Sequence, residues 1–119
     1  MTTAPDRILL NLADGLRRVV DPAEVYYLEA AGGETLVRLR SAKRLVDLRE
    51  LGEVVPLFEP HGFLRISREA AVNLRRIRDI RLRPSGRDWE VKLEPPVNRV
   101  LPVSRSALSS LWTAFGVGK

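Results

Sequence analysis

The apolar residues of this chain recur in short alternating runs, each closed by glycine, proline or aspartate, and that rhythm limits the fold before anything else does. Ile8, Leu10 and Leu12 alternate with Leu9 and Asn11 ahead of Asp14-Gly15, a strong hairpin signal. Leu16 to Val20 reads as the returning strand. Asp21-Pro22-Ala23-Glu24 is a turn or a single helical turn, with Pro22 at a first helical position. Val25 to Glu29 is rich in residues that pack on a pleated surface, Gly32-Gly33 breaks it, and Leu36 to Arg40 returns. Residues 25–40 are therefore expected as a hairpin with an exposed glycine turn. Ile80 and Leu82, then Trp89, Val91 and Leu93, alternate with charged residues on either side of residues 84–88, which predicts another hairpin. Val97 to Val103 makes one more strand, with Pro95-Pro96 at its edge or entry. Phe63 to Asn73 begins as a strand, and within it residues 69–72 fit either a strand or a helical turn.

Two stretches change period. Leu45, Leu48 and Leu51 recur every three residues among charged neighbours, which predicts a short amphipathic helix over 43–51, with Ser41 as N-cap and Gly52 as its stop. Residues 54–58 then lead to a loop at Pro60-His61-Gly62. Leu108, Leu111, Trp112 and Phe115 form an i, i+3, i+4, i+7 stripe, a helix capped by Ser104 or Ser106 and stopped by Gly116. That stripe is expected to seal the core, as is Trp89. The sum is a mainly β chain of eight or so short strands with two short helices. A length of 119 residues suits one domain, and 45% apolar residues suffice for a core. No apolar run approaches the roughly 18 residues of a membrane span. Residues 1–6 carry no pattern and are expected as a loose terminus without the features of a secretory signal. The expectation is a soluble cytoplasmic protein.

The chemistry-bearing residues are sparse. There is no cysteine, which removes disulfides, thiol catalysis and thiolate metal sites. The single histidine, His61, has no second imidazole to share a metal with and reads as a loop residue. Ser104, Ser106, Ser109 and Ser110 have no histidine placed in sequence to activate them. No glycine-rich phosphate loop occurs. Neither an enzyme nor a cofactor is expected.

Charge is distributed unevenly. Residues 1–61 hold 8 basic and 10 acidic side chains, whereas residues 62–105 hold 11 basic and 5 acidic. Nearly all the cations are arginine, 17 against three lysines. The guanidinium fork matches phosphates and guanine edges better than an ammonium does. Arg65, Ser67 and Arg68 close one strand, Arg75, Arg76 and Arg78 follow Asn73 in a turn-like segment, and Arg105 starts the last helix. A solvated charged face is the plain alternative for each of them taken singly.

Taken together they form a pattern. The order Phe63-x-Arg65-Ile66-x-Arg68-x-x-x-Val72-Asn73-x-x-x-Ile77-x-x-Ile80, a hairpin, and then Leu101-Pro102-Val103-Ser104-Arg105 resembles the LytTR family of bacterial DNA-binding domains. Val25 to Ala30 looks like that family's strand entering a glycine-containing loop. The likeness covers about residues 7–115, with the domain itself expected over 7–116. It implies about ten short strands in stacked antiparallel sheets with two short helices, a bacterial transcription regulator of the response-regulator kind, and loops that enter successive major grooves, often at paired direct repeats. Three loops would carry contacts to double-stranded DNA: Gly33, Glu34 and Thr35 with Gly32; Arg65, Ser67 and Arg68; and Ser104 with Arg105. Arg68 and Arg105 fall on base-reading positions, Arg65 on a phosphate position, and Arg75 is a further candidate. Asn73 matches a residue expected to hold the turn after its strand. A second copy of the chain, or a separate signalling protein, is the further partner the likeness implies; no membrane is.

This chain departs from the family pattern at Ser67-Arg68-Glu69-Ala70, where His-Arg-Ser-Tyr is common, and Glu34 stands where a basic or polar reader would be natural. Glu69 would repel phosphate unless Arg65 or Arg68 pairs with it. These departures leave open a second function, a protein-interaction module on the same scaffold that has lost DNA binding.

Overall fold

The protein, as a computed structural model, is described over residues 6–41 and 43–116. The loose terminus expected over 1–6 falls, apart from Asp6, outside the described residues. Ten strands make three antiparallel sheets. β1 (Ile8–Asn11) pairs only with β2 (Arg17–Val20). The central sheet has the order β5-β4-β3-β7-β6, from β3 (Val25–Ala31), β4 (Glu34–Leu39), β5 (Arg44–Asp47), β6 (Phe63–Arg65) and β7 (Ala70–Asn73). The third sheet has the order β10-β9-β8, from β8 (Ile77–Leu82), β9 (Trp89–Leu93) and β10 (Val100–Val103). The helices are α1 (Leu51–Phe58) and α2 (Arg105–Ala114).

The central sheet is covered on both faces. On one, the β1–β2 hairpin and α1 pack Leu10, Leu51, Val54 and Phe58 against Val25, Leu28 and Val37. On the other, the third sheet and α2 pack Val91, Leu93, Leu101 and Leu111 against Tyr26, Tyr27 and Val72. This is why the middle strands read as unbroken apolar runs: both faces of β3 and β7 are buried. Each fully buried Leu or Phe contributes about 1.5–3 kcal/mol relative to exposure.

Most hairpins lie where the alternation puts them. The 25–40 hairpin turns on Gly32 (φ 58°) and Gly33 (φ 86°), a two-residue turn of the kind that needs left-handed backbone at both positions. Of residues 69–72, Ala70 to Val72 resolve as strand, pairing β7 with both β3 and β6, while Glu69 closes the turn before it. Asn73 is buried; its amide donates to the carbonyls of Val25 (3.0 Å) and Pro22 (3.4 Å), and its oxygen accepts from Arg75 N (3.0 Å).

Three expectations need correction. The helix expected over 43–51 is the strand β5 followed by a bend, and the helix begins at Leu51. Leu45 and Asp47 point inward and Val46 outward, a true alternation, but its inward position 47 is a carboxylate and so it breaks a hydrophobic count. Gly52 is not a stop: it lies in the first turn of α1, and Leu51, Val54, Val55 and Phe58 make the buried i, i+3, i+4, i+7 face. Glu50 and Glu53 cap that helix reciprocally, and Pro56 sits inside it. The strand expected over 97–103 starts only at Val100. In α2 the buried residues are Ala107 and Leu111, while Phe115 is exposed. Trp112 instead meets Trp89 edge to face, with ring centres 5.0 Å apart.

Candidate nucleic-acid interface

Strand direction brings the three arginine- and glycine-bearing loops to one end of the molecule. β3 runs antiparallel to β7 with Glu29 opposite Ala70. The Gly32-Gly33 turn that follows β3 and the 66–69 turn that precedes β7 therefore lie side by side. Ala30 N donates to Glu69 O at 2.8 Å and fixes them together. Ser104 N donates to Ile66 O at 2.7 Å and brings in the end of β10 and the start of α2. Two backbone hydrogen bonds thus tie residues 39 and 38 positions apart into one tip.

The 66–69 turn is held firmly. Ile66 is fully buried, and the amides of Ile66 and Ser67 both donate to Ala70 O. Ser67 Oγ accepts from Glu69 N at 3.2 Å. Arg65 reaches over the turn: its Nε donates to Ser67 O (3.1 Å) and its Nη2 to Arg68 O (2.7 Å). A cleft of about 360 Å³ opens between this turn and α2, lined by Arg65, Ser67, Arg68, Ser104, Ser106 and Ser110. Arg105 is exposed at the first position of α2, beside the cleft. Among the described residues neither Arg65, Arg68 nor Arg105 lies within salt-bridge distance of a carboxylate.

The other sequence candidates divide. Gly33 is exposed in the turn and Glu34 half-buried beside it. Thr35 is not on the surface: it is fully buried, and its hydroxyl donates to Arg49 O at 2.9 Å. The family likeness implies a contact there, but strand alternation turns Thr35 into the protein. Arg75 lies away from the tip, in a second cleft with Asp6, Asp21, His61 and Asn73. Ser106, which the sequence offers as a helix cap or a nucleophile, and Ser110, which it offers as a nucleophile, gain a place through their i, i+4 spacing on the cleft side of α2.

Other arginines are neutralised internally. Arg99 grips Glu29 with two bonds (2.7 and 3.3 Å) and stacks over Tyr27. Arg49 binds Asp47, whose side chain is fully buried and also accepts from the amides of Asn11 and Arg49 at 2.9 Å. Burial alone would raise the Asp47 carboxyl, but the hydrogen bonds from Arg49 and the two amides outweigh it and hold the carboxyl below its usual range. The same pairing raises the Arg49 guanidinium. No group of three or more His, Cys, Asp or Glu among the described residues could hold a metal ion, and no described helix is long and apolar enough to cross a membrane.

Comparison with known proteins bears on the fold and the family. None of the curated proteins matches the chain. Among solved structures, the LytTr DNA-binding domain of a Bacillus cereus protein, described as a methyl-accepting/DNA response regulator, shares the fold. It superimposes with a TM-score of 0.75 at 24% identity, over 95% of this chain and 99% of that one. The sequence profile of the LytTr DNA-binding domain matches residues 17–116, from β2 to the end of α2. With most of its length matched by that profile, the chain belongs to the LytTR family of DNA-binding domains.

Proposed function

We propose that this chain, as a single domain over residues 7–116, binds double-stranded DNA sequence-specifically through its tip and regulates transcription in the bacterial cytoplasm. The observation that carries the reading is the joining of the three loops by the Ala30–Glu69 and Ser104–Ile66 hydrogen bonds. It gives a projection whose cations have no carboxylate partner among the described residues, suited to a major groove about 12 Å wide. Arg68 and Arg105 are the base readers, Arg65 meets a phosphate, and Ser67 and Ser104 offer hydroxyls. Gly33 lets backbone approach closely at the flank. Arg105 is a cation at the positive end of a helix, which costs that helix roughly 0.3–1 kcal/mol, so its place is not explained by folding. One module buries only on the order of 600–1,000 Å², so two copies are expected on paired direct repeats, cooperating directly or through a signalling partner.

The direct test is fluorescence anisotropy against duplex DNA over a salt series. The expected result is tight binding at low salt, with log K falling linearly against log salt by about 0.9 per phosphate neutralised. Absence of binding to any duplex at low salt overturns the reading.

A further inference from the structure

The tip carries an acid that its own arginines leave alone. Glu69 is exposed at the end of the 66–69 turn, next to Arg68 and within four residues of Arg65. The sequence allows either arginine to neutralise it; the structure shows neither doing so. Arg65 is engaged with the carbonyls of Ser67 and Arg68. Among the described residues Glu69 has no side-chain hydrogen bond and no salt bridge, whereas Glu29, one strand away, is gripped by Arg99. The backbone of Glu69 is pinned on both sides, its amide by Ser67 Oγ and its carbonyl by Ala30 N, so the side chain projects from a fixed stem.

Such an acid is unfavourable beside phosphates, and burial at an interface would cost more unless a donor met it. In a major groove the donors are the exocyclic amines. Adenine offers N6–H₂ beside the N7 acceptor, which repels a carboxylate; cytosine offers N4–H₂ with no acceptor next to it on its own edge. We propose that Glu69 is a specificity-determining residue that accepts a hydrogen bond from cytosine N4, next to the base read by Arg68. The proposal rests on the DNA-binding reading above and adds to it a base identity and the residue responsible.

The test is selection from a random duplex pool with the full chain and with Glu69→Ala and Glu69→Gln, each first checked for an unchanged melting temperature. Because the side chain makes no internal bond, both variants are expected to fold as the parent does. The parent should enrich a motif with one invariant cytosine on the strand facing the 66–69 turn. Glu69→Ala should make that one position degenerate, losing roughly tenfold discrimination, leave the rest of the motif intact and bind random duplex more tightly, having lost a negative charge. Glu69→Gln should move the position toward adenine, whose N6 and N7 match a carboxamide. If the parent enriches a motif and both variants enrich the same one, Glu69 reads nothing and the proposal fails while the DNA-binding reading stands. If the parent enriches no motif, both fail together.

Discussion

The arginines on and flanking β8 and those of the tip have opposite surroundings. On and beside the hairpin, Arg76 meets Glu94 at 3.1 Å, Arg78 meets Asp79 at 3.8 Å, and Arg81 and Arg83 share Glu90. At the tip, Arg65, Arg68 and Arg105 meet no carboxylate among the described residues. The difference follows from position. Arg81 stands directly opposite Glu90 in the β8–β9 register, so the sheet itself supplies its partner. A turn or a helix start has no such register, and a cation there stays open to an outside anion. The surplus of positive charge in residues 62–105 is thus not one basic surface: the arginines on and flanking β8 are paired within the fold, those of the tip are not, and Arg75 and Arg87 are likewise without a carboxylate among the described residues. Stability should follow the paired arginines and DNA affinity those of the tip.

The largest expected effect comes from the pair whose carboxylate is fully buried, Asp47 with Arg49. Asp47→Ala should cost about 3 kcal/mol of folding stability in urea denaturation, since it strands the Asn11 amide and the Arg49 guanidinium together. It should leave DNA affinity unchanged where the variant is folded. The same pair sets the acid limb of stability. A carboxyl held below its unfolded value of about 4 adds stability that is present above that value and is lost as pH falls through the lower folded one. Urea midpoints should therefore drop below about pH 4, and the drop should be shallower in Asp47→Asn.

Arg105→Ala tests the tip. It should weaken binding to a selected site by about 1–3 kcal/mol and relax one base position, with a melting temperature equal to or slightly above that of the parent because a cation leaves a helix N-terminus. A lowered melting temperature with unchanged affinity would place Arg105 in the structural group.

How far the sequence shows this depends on what each residue answers to. Hairpins announced by Asp14-Gly15 and Gly32-Gly33 are local events, and both form where the turn residues put them. β5 and α1 are not local. Asp47 faces inward because Arg49 and Asn11 satisfy it, and no count of apolar residues contains that information. Gly52 reads as a stop and Pro56 sits within the helix, yet α1 holds because Val54, Val55 and Phe58 bury against the central sheet. At the tip, the arginines and their spacing were legible, but the depth of Thr35 and the distance of Arg75 from the other loops are facts of packing. So is the freedom of Glu69, which depends on where Arg65 reaches.

The smallest expected effect is the most discriminating. Arg81→Ala removes a cation of the same type, from the same basic stretch, as those at the tip. Its side chain is 57% exposed, so solvent screens the pair, and Glu90 also has Arg83, at 3.4 Å, as a partner. The loss of stability should be no more than about 0.5–1 kcal/mol. On DNA, a purely electrostatic account of the basic stretch makes Arg81 and Arg65 equivalent, each adding about one unit to the slope of log K against log salt. The division argued here makes them unequal: the slope should fall by about one for Arg65→Ala and stay unchanged for Arg81→Ala. Equal falls would mean that the duplex spreads over the β8–β9 hairpin as well, and that Glu90 releases its arginines to phosphate on binding.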